Sequence, residues 1–206
     1  METKDFYKFI NKYKTVKAIG ISKWVKTFDL ENDSKTRQML FFTFNFIIEN
    51  KLKIFRWKLM NYILPCKKLL YQWKICSNDN CMTCNEIEDY EHFFLNCKII
   101  KTFWQNIKVL LANLNLGFQV VTFENLVMGY QIADKSYYAI NYLNTIILFS
   151  IYKSKIISQQ KQKNINIFSL FKNEFREHYS LIDTTKTHHA NLLILFRKVS
   201  NSLNAI

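Results

Sequence analysis

Four residues of the types that bind zinc fall within one short stretch of the sequence. Cys81, Cys84, His92 and Cys97 follow the pattern Cys-x2-Cys-x7-His-x4-Cys. A tetrahedral Zn²⁺ site takes four thiolate or imidazole ligands, and a Cys-x2-Cys turn directs two thiolates at one point. Since protein would fill all four positions, none would remain for a reacting water. The pattern therefore predicts one structural Zn²⁺ ion and favours a binding function over a catalytic one.

The segment that carries these ligands has little from which to build a core. Residues 75–91 contain five acidic residues and no basic one. A structural Zn²⁺ can contribute on the order of 10 kcal/mol to the folding of such a site. The alternative interpretation is that the cysteines are ordinary buried thiols and the histidine a surface residue. We interpret Cys66 and Cys76 as core residues, with Cys76 as a possible substitute ligand.

The spacing of the last two ligands limits how a helix can carry them. On a regular helix of 3.6 residues per turn, His92 and Cys97 lie about 140° apart. Both cannot bind one ion from an undistorted helix. We therefore expect His92 at the start of a helix or just before it, and Cys97 within the first turns of that helix.

The composition favours long helices and an acidic partner. Among 206 residues, 49% are hydrophobic, and there are three glycines and one proline. Such sparse turn residues are typical of helical proteins. The formal charge of +13 is compatible with nucleic acid or an anionic membrane surface. Lysine outnumbers arginine 25 to 4, which is also what A/T-rich codons would produce, so the local placement of charge carries more weight than its sum.

The cysteine count and the first residues bear on the compartment. Five cysteines are an odd number, and residues 1–14 are charged and aromatic without an apolar leader. Both observations favour a reducing, intracellular location, cytoplasmic or nuclear. The longest apolar run, residues 137–152, is interrupted by Asn141 and Asn144 and is too short for a membrane span. We predict a core helix there and no membrane partner.

Apolar periodicity predicts a mainly α fold with a small zinc-stapled knuckle between helices. A stripe beginning at Leu52 and Phe55 predicts a helix that ends by Pro65, where a second helix can open. A long helix should end near Asn113, and further helical segments are predicted at 122–130, 135–159, 165–182 and 187–203. We divide the chain into a mixed segment at 1–50, basic helices with the knuckle at 51–116, and a helical region at 117–206, with a bend near Gly117. Lysines and aromatics alternate in the first segment, and residues 41–48 form a short strand or a buried helix.

A basic and aromatic stretch lies between residues 51 and 74, which contain no acid. Trp57 falls about 140° from Leu52 on a regular helix, away from the apolar stripe. Lysines that meet phosphates beside an aromatic that stacks on a base are suited to single-stranded nucleic acid. The alternative is a solvated helix face with Trp57 packed on another lobe. The candidate nucleic-acid contacts are Lys51, Lys53, Arg56, Trp57, Lys58, Lys67, Lys68 and Lys74.

Residues 51–107 resemble the zinc-binding region at the C-terminal end of LINE-type (non-LTR) retrotransposon reverse transcriptases. The shared features are a helix ending in Leu64-Pro65, the Cys-x2-Cys knuckle, an acidic loop and a Glu-His-Phe-Phe segment before the last cysteine. The aromatic pair Phe103-Trp104 follows. Residues 22–30 and the helical tail resemble the family more loosely.

The resemblance implies an element-encoded protein whose C-terminal region helps to hold template RNA and target DNA. It implies RNA or DNA as the partner, an upstream reverse transcriptase domain as a further candidate, and no small-molecule substrate. It does not confer catalysis, because a polymerase palm needs an Asp-Asp turn that is missing here. We interpret the chain as the detached C-terminal piece of such a polymerase, or as a truncated or degenerate copy, and not as an enzyme. Two alternatives are a zinc-shaped protein–protein module and a cryptic nuclease that uses acids such as Glu174 and Asp183.

Overall fold

The chain is mainly α-helical, as predicted. The computed structural model describes residues 19–30, 47–113, 121–130, 137–161, 165–184 and 190–204, and within these ranges there are helices but no strand. The helices are α1 (Ile19–Thr27), α2 (Asn50–Met60), α3 (Lys67–Gln72), a π-helical turn (His92–Asn96), α4 (Lys98–Asn113), α5 (Phe123–Met128), α6 (Tyr137–Lys161), α7 (Ile167–Thr184) and α8 (Ala190–Asn204).

The predicted helices match these elements closely, and α2 presents the apolar stripe on which its prediction rests. In α2, Leu52, Phe55 and Leu59 are buried. Pro65 lies between α2 and α3, where a residue without a backbone N–H costs no helical hydrogen bond. The bend near Gly117, the segment at 31–46 and the lysines before residue 19 lie outside the described residues.

Helix α6 is the centre of the packing. It contacts α2, α7, α8 and the π-helical turn. Ile146, Leu148 and Ile151 on this helix are buried, so the predicted core helix is confirmed. Helices on both sides of the predicted boundary at 116–117 therefore share one core.

None of the described helices combines the length and apolar character needed to cross a membrane.

Arg56 connects the two sides of that core, and its position corrects the sequence interpretation. Its side chain is fully buried, and its guanidinium donates hydrogen bonds to the carbonyls of Leu126, at 2.9 Å, and Val127. These carbonyls belong to the last turn of α5, where the helix dipole favours a cation. Burial lowers the pKa of Arg56 to about 9, which leaves it charged at neutral pH. Arg56 is therefore a structural cation and does not lie on a nucleic-acid surface.

Candidate metal centre

The ligand atoms of the four predicted residues converge. The donor atoms of Cys81, Cys84, His92 and Cys97 all lie within 4.8 Å of one another. The Sγ atom of Cys97 is 3.8 Å from the Sγ atom of each of the other two cysteines. Two sulfurs bonded to one tetrahedral Zn²⁺ at about 2.3 Å are themselves separated by about 3.8 Å. The donor set and its spacing fit a single structural Zn²⁺ ion, as predicted.

A tight backbone turn positions the first two ligands. The Cys81 N–H donates to the Glu86 carbonyl at 2.7 Å, and the Asn85 N–H donates to the Cys81 carbonyl at 2.9 Å. Asn85 has a φ of 58°, in the left-handed region that asparagine tolerates better than most residues. An antiparallel bridge between Asn80 and Ile87 closes the loop. The turn therefore brings the thiols of Cys81 and Cys84 to within 4.8 Å of each other.

A π-helical turn brings the last two ligands to the same point. The Cys97 N–H donates to the His92 carbonyl at 2.9 Å, which is the i→i+5 bond of a π-helix. This wider turn greatly reduces the offset of about 140° that a regular helix would impose. His92 begins the turn, as expected. The sequence predicts Cys97 within the first turns of a helix. In the structure, Cys97 instead directly follows the π-helical turn and precedes α4.

The imidazole of His92 is oriented by a carboxylate. Its Nδ1 atom is 3.1 Å from Glu86 Oε2, and its Nε2 atom is 3.1 Å from Cys84 Sγ. A carboxylate that accepts a hydrogen bond from Nδ1–H leaves the Nε2 lone pair free for a metal. The acidic residue at position 86, which the sequence marked only as part of an acidic loop, therefore supports the ligand set.

A lysine from α6 lies against the thiols, and no residue near it in the sequence signals this contact. The Nζ atom of Lys155 is 3.4 Å from the Sγ atoms of both Cys81 and Cys97 and 3.2 Å from Glu88 Oε2. Burial opposes its charge, but Glu88 and the two sulfurs outweigh burial and raise the pKa of Lys155 to about 12. Three thiolates around one Zn²⁺ leave a net negative charge, and a buried negative charge needs a partner. Lys155 provides that partner.

The buried Glu88 carboxylate links the same lysine to α3. It accepts a hydrogen bond from the Lys67 N–H at 3.2 Å, while the Lys68 N–H donates to the Glu88 carbonyl at 3.1 Å. Burial raises the pKa of Glu88, and Lys155 counteracts that effect. The zinc loop is thus tied to both α3 and α6.

The charge of Lys155 favours the thiolate form of two ligands. Cys81 and Cys97 share one hydrogen bond, which lowers the pKa of Cys81 and raises the pKa of Cys97. Burial raises the pKa of both thiols, whereas the charge of Lys155 lowers both. Lys155 therefore assists metal binding, because the thiolate is the ligand.

The two other cysteines lie outside the cluster. Cys66 is buried, as predicted for a core residue, and burial raises the pKa of its thiol to about 12. Cys76 is half-buried rather than a core residue. Its thiol donates to the Asn78 carbonyl at 3.0 Å, so it does not act as a substitute ligand here.

Some of the basic residues predicted to contact nucleic acid form ion pairs with carboxylates, and others do not. Lys51 lies 3.2 to 3.5 Å from the carboxylates of Glu49, Glu174 and Glu177. Lys68 lies 3.5 Å from Asp89. Within the described ranges, the predicted lysines that form no ion pair are Lys53, Lys58, Lys67 and Lys74.

Glu174, one of the acids considered for a nuclease, belongs to an interior ion network. Glu174 is buried, and its carboxylate pairs with Lys51 and Lys153. The buried His178 places Nδ1 2.7 Å from Glu49 Oε2. A carboxylate enclosed by lysines cannot hold a catalytic metal against a substrate, so Glu174 does not support the nuclease alternative. The side chain of Asp183 lies outside the described part of the chain.

Residues 21–104 match the family model described as zinc-binding in reverse transcriptase. The match includes all four ligands and ends within α4. No curated protein and no solved structure matches the chain. Together with the three cysteines and one histidine brought within 4.8 Å, the match shows that this stretch is similar to the zinc-binding regions of reverse transcriptases. The match and the ligand cluster both support one zinc ion in this stretch.

Proposed function

We propose that the chain acts in the C-terminal region of a LINE-type reverse transcriptase and binds single-stranded RNA or DNA there without catalysing a reaction. The contact surface would be the solvent side of α2, formed by Lys53, Ile54, Trp57 and Lys58, which we call the α2 face. The protein partner of the chain would be an upstream polymerase domain, and the chain would be intracellular.

The exposure of Trp57 is the observation that carries this proposal. Its side chain is 51% exposed, although tryptophan is usually well buried in a folded chain. Lys53 lies one helical turn before it and Lys58 directly after it, so on a regular helix the two lysines flank Trp57 within an arc of about 140°. An open indole flanked by ammonium groups offers a stacking surface for a base and counter-charges for the adjoining phosphates.

The charges on the α2 face are available to a partner. In the described part of the chain, neither Lys53 nor Lys58 lies within ion-pair distance of a carboxylate. Lysines without local partners release counterions when they meet phosphates, which makes binding sensitive to salt. The formal charge of +13 acts in the same direction at longer range.

Fluorescence anisotropy with labelled single-stranded RNA and DNA tests the proposal. We expect affinity to fall steeply as salt rises. Trp57→Ala should weaken binding by about 1–3 kcal/mol, because it removes one stacked base. Lys53→Ala combined with Lys58→Ala should also reduce the salt dependence, because two phosphate contacts are lost.

Two matched variants serve as controls. Lys101→Ala with Lys108→Ala removes the same charge from exposed positions on α4, and Val109→Ala truncates an exposed apolar residue on that helix. Both should leave oligonucleotide affinity nearly unchanged. If the α2 variants behave like these controls, the α2 face does not bind nucleic acid.

A protein-docking function is the second candidate, and one observation favours it. Met82 and Ile87 on the zinc loop are 68% and 54% exposed, beside the acidic Glu86. Acidic surroundings repel nucleic acid, whereas exposed apolar side chains are suited to a protein partner. Met82→Asp with Ile87→Asp should then abolish binding to a co-expressed polymerase domain while oligonucleotide affinity is retained. Unchanged binding to that domain would remove this candidate.

A further inference from the structure

We propose that a cavity between α1 and α3 binds a phosphate group of a nucleic-acid strand. The cavity has a volume of about 210 Å³ and is bordered by Lys23, Lys26, Lys68, Tyr62 and Tyr90; we call it the tyrosine cavity. This inference rests on the proposed function for its natural ligand, but it concerns a second place on the molecule, separate from the α2 face.

The position of α1 is fixed by a close contact that only glycine permits. A Cβ atom on the buried Gly20 would lie 2.1 Å from the backbone carbon of Asn61. One turn later, the indole N–H of the buried Trp24 donates to the Leu59 carbonyl at 3.2 Å. Helix α1 is therefore held against the end of α2, and its lysines have a defined position above the cavity.

The floor of the cavity is a packed aromatic cluster. The Tyr62 ring centroid lies 4.7 Å from that of Tyr90 and 4.8 Å from that of Trp24. Tyr62 has a φ of 59°, a left-handed conformation that is unfavourable for a bulky side chain. The Tyr62 N–H donates to the Leu59 carbonyl at 3.1 Å and the Ile63 N–H to the Lys58 carbonyl at 3.0 Å, so this conformation closes the C-terminal end of α2. The Tyr62 ring then lies beneath Lys23.

Lys23 lies directly over this floor. Its Nζ atom is 4.5 Å from the Tyr62 ring centroid, within the range of a cation–π contact. Neither Lys23 nor Lys26 has a carboxylate within ion-pair distance among the described residues. The contact with the ring orders the ammonium group without neutralising it.

The cavity carries an excess of positive charge. Three lysines border it, against the single carboxylate of Asp89, which lies 3.5 Å from Lys68. Burial raises the pKa of Cys66 to about 12 and also raises the pKa of Tyr62, so both groups stay neutral. Converging ammonium groups are a common binding site for phosphate oxygens.

The size of the cavity limits the ligand. Sites for whole small molecules usually measure about 300–1,000 Å³, and about 210 Å³ is below that range. The cavity has room for a phosphate with part of its sugar, but not for a complete nucleotide. The phosphate could be a diester within the strand or a monoester at its end, and the following experiment distinguishes the two.

The experiment compares two oligonucleotides of one sequence, with a 5′-phosphate or a 5′-hydroxyl, on the full zinc-loaded chain. Lys23→Ala with Lys26→Ala should weaken binding at least about fivefold, given that two phosphate-facing charges are lost. Loss confined to the phosphorylated strand assigns the cavity to a terminal monoester, and equal loss on both strands assigns it to an internal diester. Both lysines are exposed, so the fold should be retained, which zinc content and circular dichroism can verify.

The matched control is again Lys101→Ala with Lys108→Ala. If the α1 variant binds both strands as the control does while Trp57→Ala still weakens binding, the tyrosine cavity is not a phosphate site and the proposed function stands. If both the α1 and the α2 variants are without effect, both inferences fail together.

Inorganic phosphate tests the cavity independently of any oligonucleotide. Amide resonances of residues 23–27 and of Tyr62 should shift on addition of millimolar phosphate in the natural chain and remain in place in the Lys23→Ala/Lys26→Ala variant. Shifts of the same size in both proteins would overturn the inference, as would no shift in either.

Discussion

The zinc loop and the C-terminal helices are held in place by different means. Between residues 78 and 91, the buried apolar side chains are those of Cys81 and Tyr90. In α6 to α8, rings pack against rings, with the Phe196 centroid 5.0 Å from that of Phe175 and 5.4 Å from that of Tyr142. A segment that cannot bury enough apolar surface can still be ordered if a metal holds its side chains together. The zinc loop is therefore ordered by the metal ion, and helices α6 to α8 are ordered by apolar burial.

Loss of a zinc ligand should have the largest effect. Cys84→Ser is expected to remove the ion and with it most of a stabilisation on the order of 10 kcal/mol. Elemental analysis should then show no zinc, and hydrogen exchange should show rapid exchange across residues 78–97. Cys76→Ser is the matched control and should keep one zinc per chain, because Cys76 is not a ligand. A Cys84→Ser protein that retains slow exchange in this loop would contradict the assignment.

Truncation of a buried ring in the C-terminal helices should have the second-largest effect on stability. Phe175→Ala is expected to lower the free energy of unfolding by about 3–5 kcal/mol, because it leaves a cavity in the core. Zinc content should remain one per chain. Ile194→Ala, at an exposed position of α8, should change stability by less than about 0.5 kcal/mol in the same urea titration. Release of zinc from the Phe175→Ala protein under native conditions would mean that the two regions do not differ as described.

Lys155 connects the two regions, and its replacement should have an intermediate effect. Lys155→Met removes the cation beside Cys81 and Cys97 while keeping the length of the side chain. We expect zinc affinity to fall about 10- to 100-fold, the usual effect of losing a group that supports the ligands. Competition with a chelator of known affinity measures this change. Lys161→Met, at an exposed position on the same helix, should leave zinc affinity unaltered.

The smallest expected effect concerns the pH dependence of stability. Burial lowers the pKa of His178 from its ordinary value of 6.5, and the nearby Glu49 only partly offsets this. Below pH 6.5 the unfolded chain then binds more protons at this residue than the folded chain does, so stability falls as the pH decreases. One such group contributes a slope of at most about 1.4 kcal/mol per pH unit. His178→Gln should therefore show a shallower loss of unfolding free energy between pH 7 and pH 5. An equal or steeper loss would contradict the buried neutral histidine.

The zinc ligands were predictable because their chemistry is local in sequence. Four ligand-type residues within 17 positions constrain one another, and periodicity alone located the main helices. The π-helical turn could not be predicted, because an i→i+5 bond leaves no apolar pattern of its own. Lys155 lies 58 residues beyond Cys97, and nothing in the sequence around it indicates a thiol partner.

The error at Arg56 was of another kind, because a signal was present. Arg56 lies four residues after Leu52 and three before Leu59, which places it on the buried stripe of α2. The charge of Arg56 favours a surface position, whereas its place in the periodicity of α2 favours a buried one. A basic residue in register with buried leucines indicates an internal hydrogen-bonding role when acceptors such as the last carbonyls of a helix are within reach.

The hydrogen bonds of Arg56 to α5 affect how freely this domain can be transplanted. The stretch that matches the family ends at residue 104, yet the acceptors for its guanidinium are at Leu126 and Val127. A chimera that received only the matched stretch would enclose a cation without acceptors and would also lack the ammonium group beside its thiolates. A viable graft has to extend at least as far as Lys155 in α6, so this zinc domain is not portable on its own.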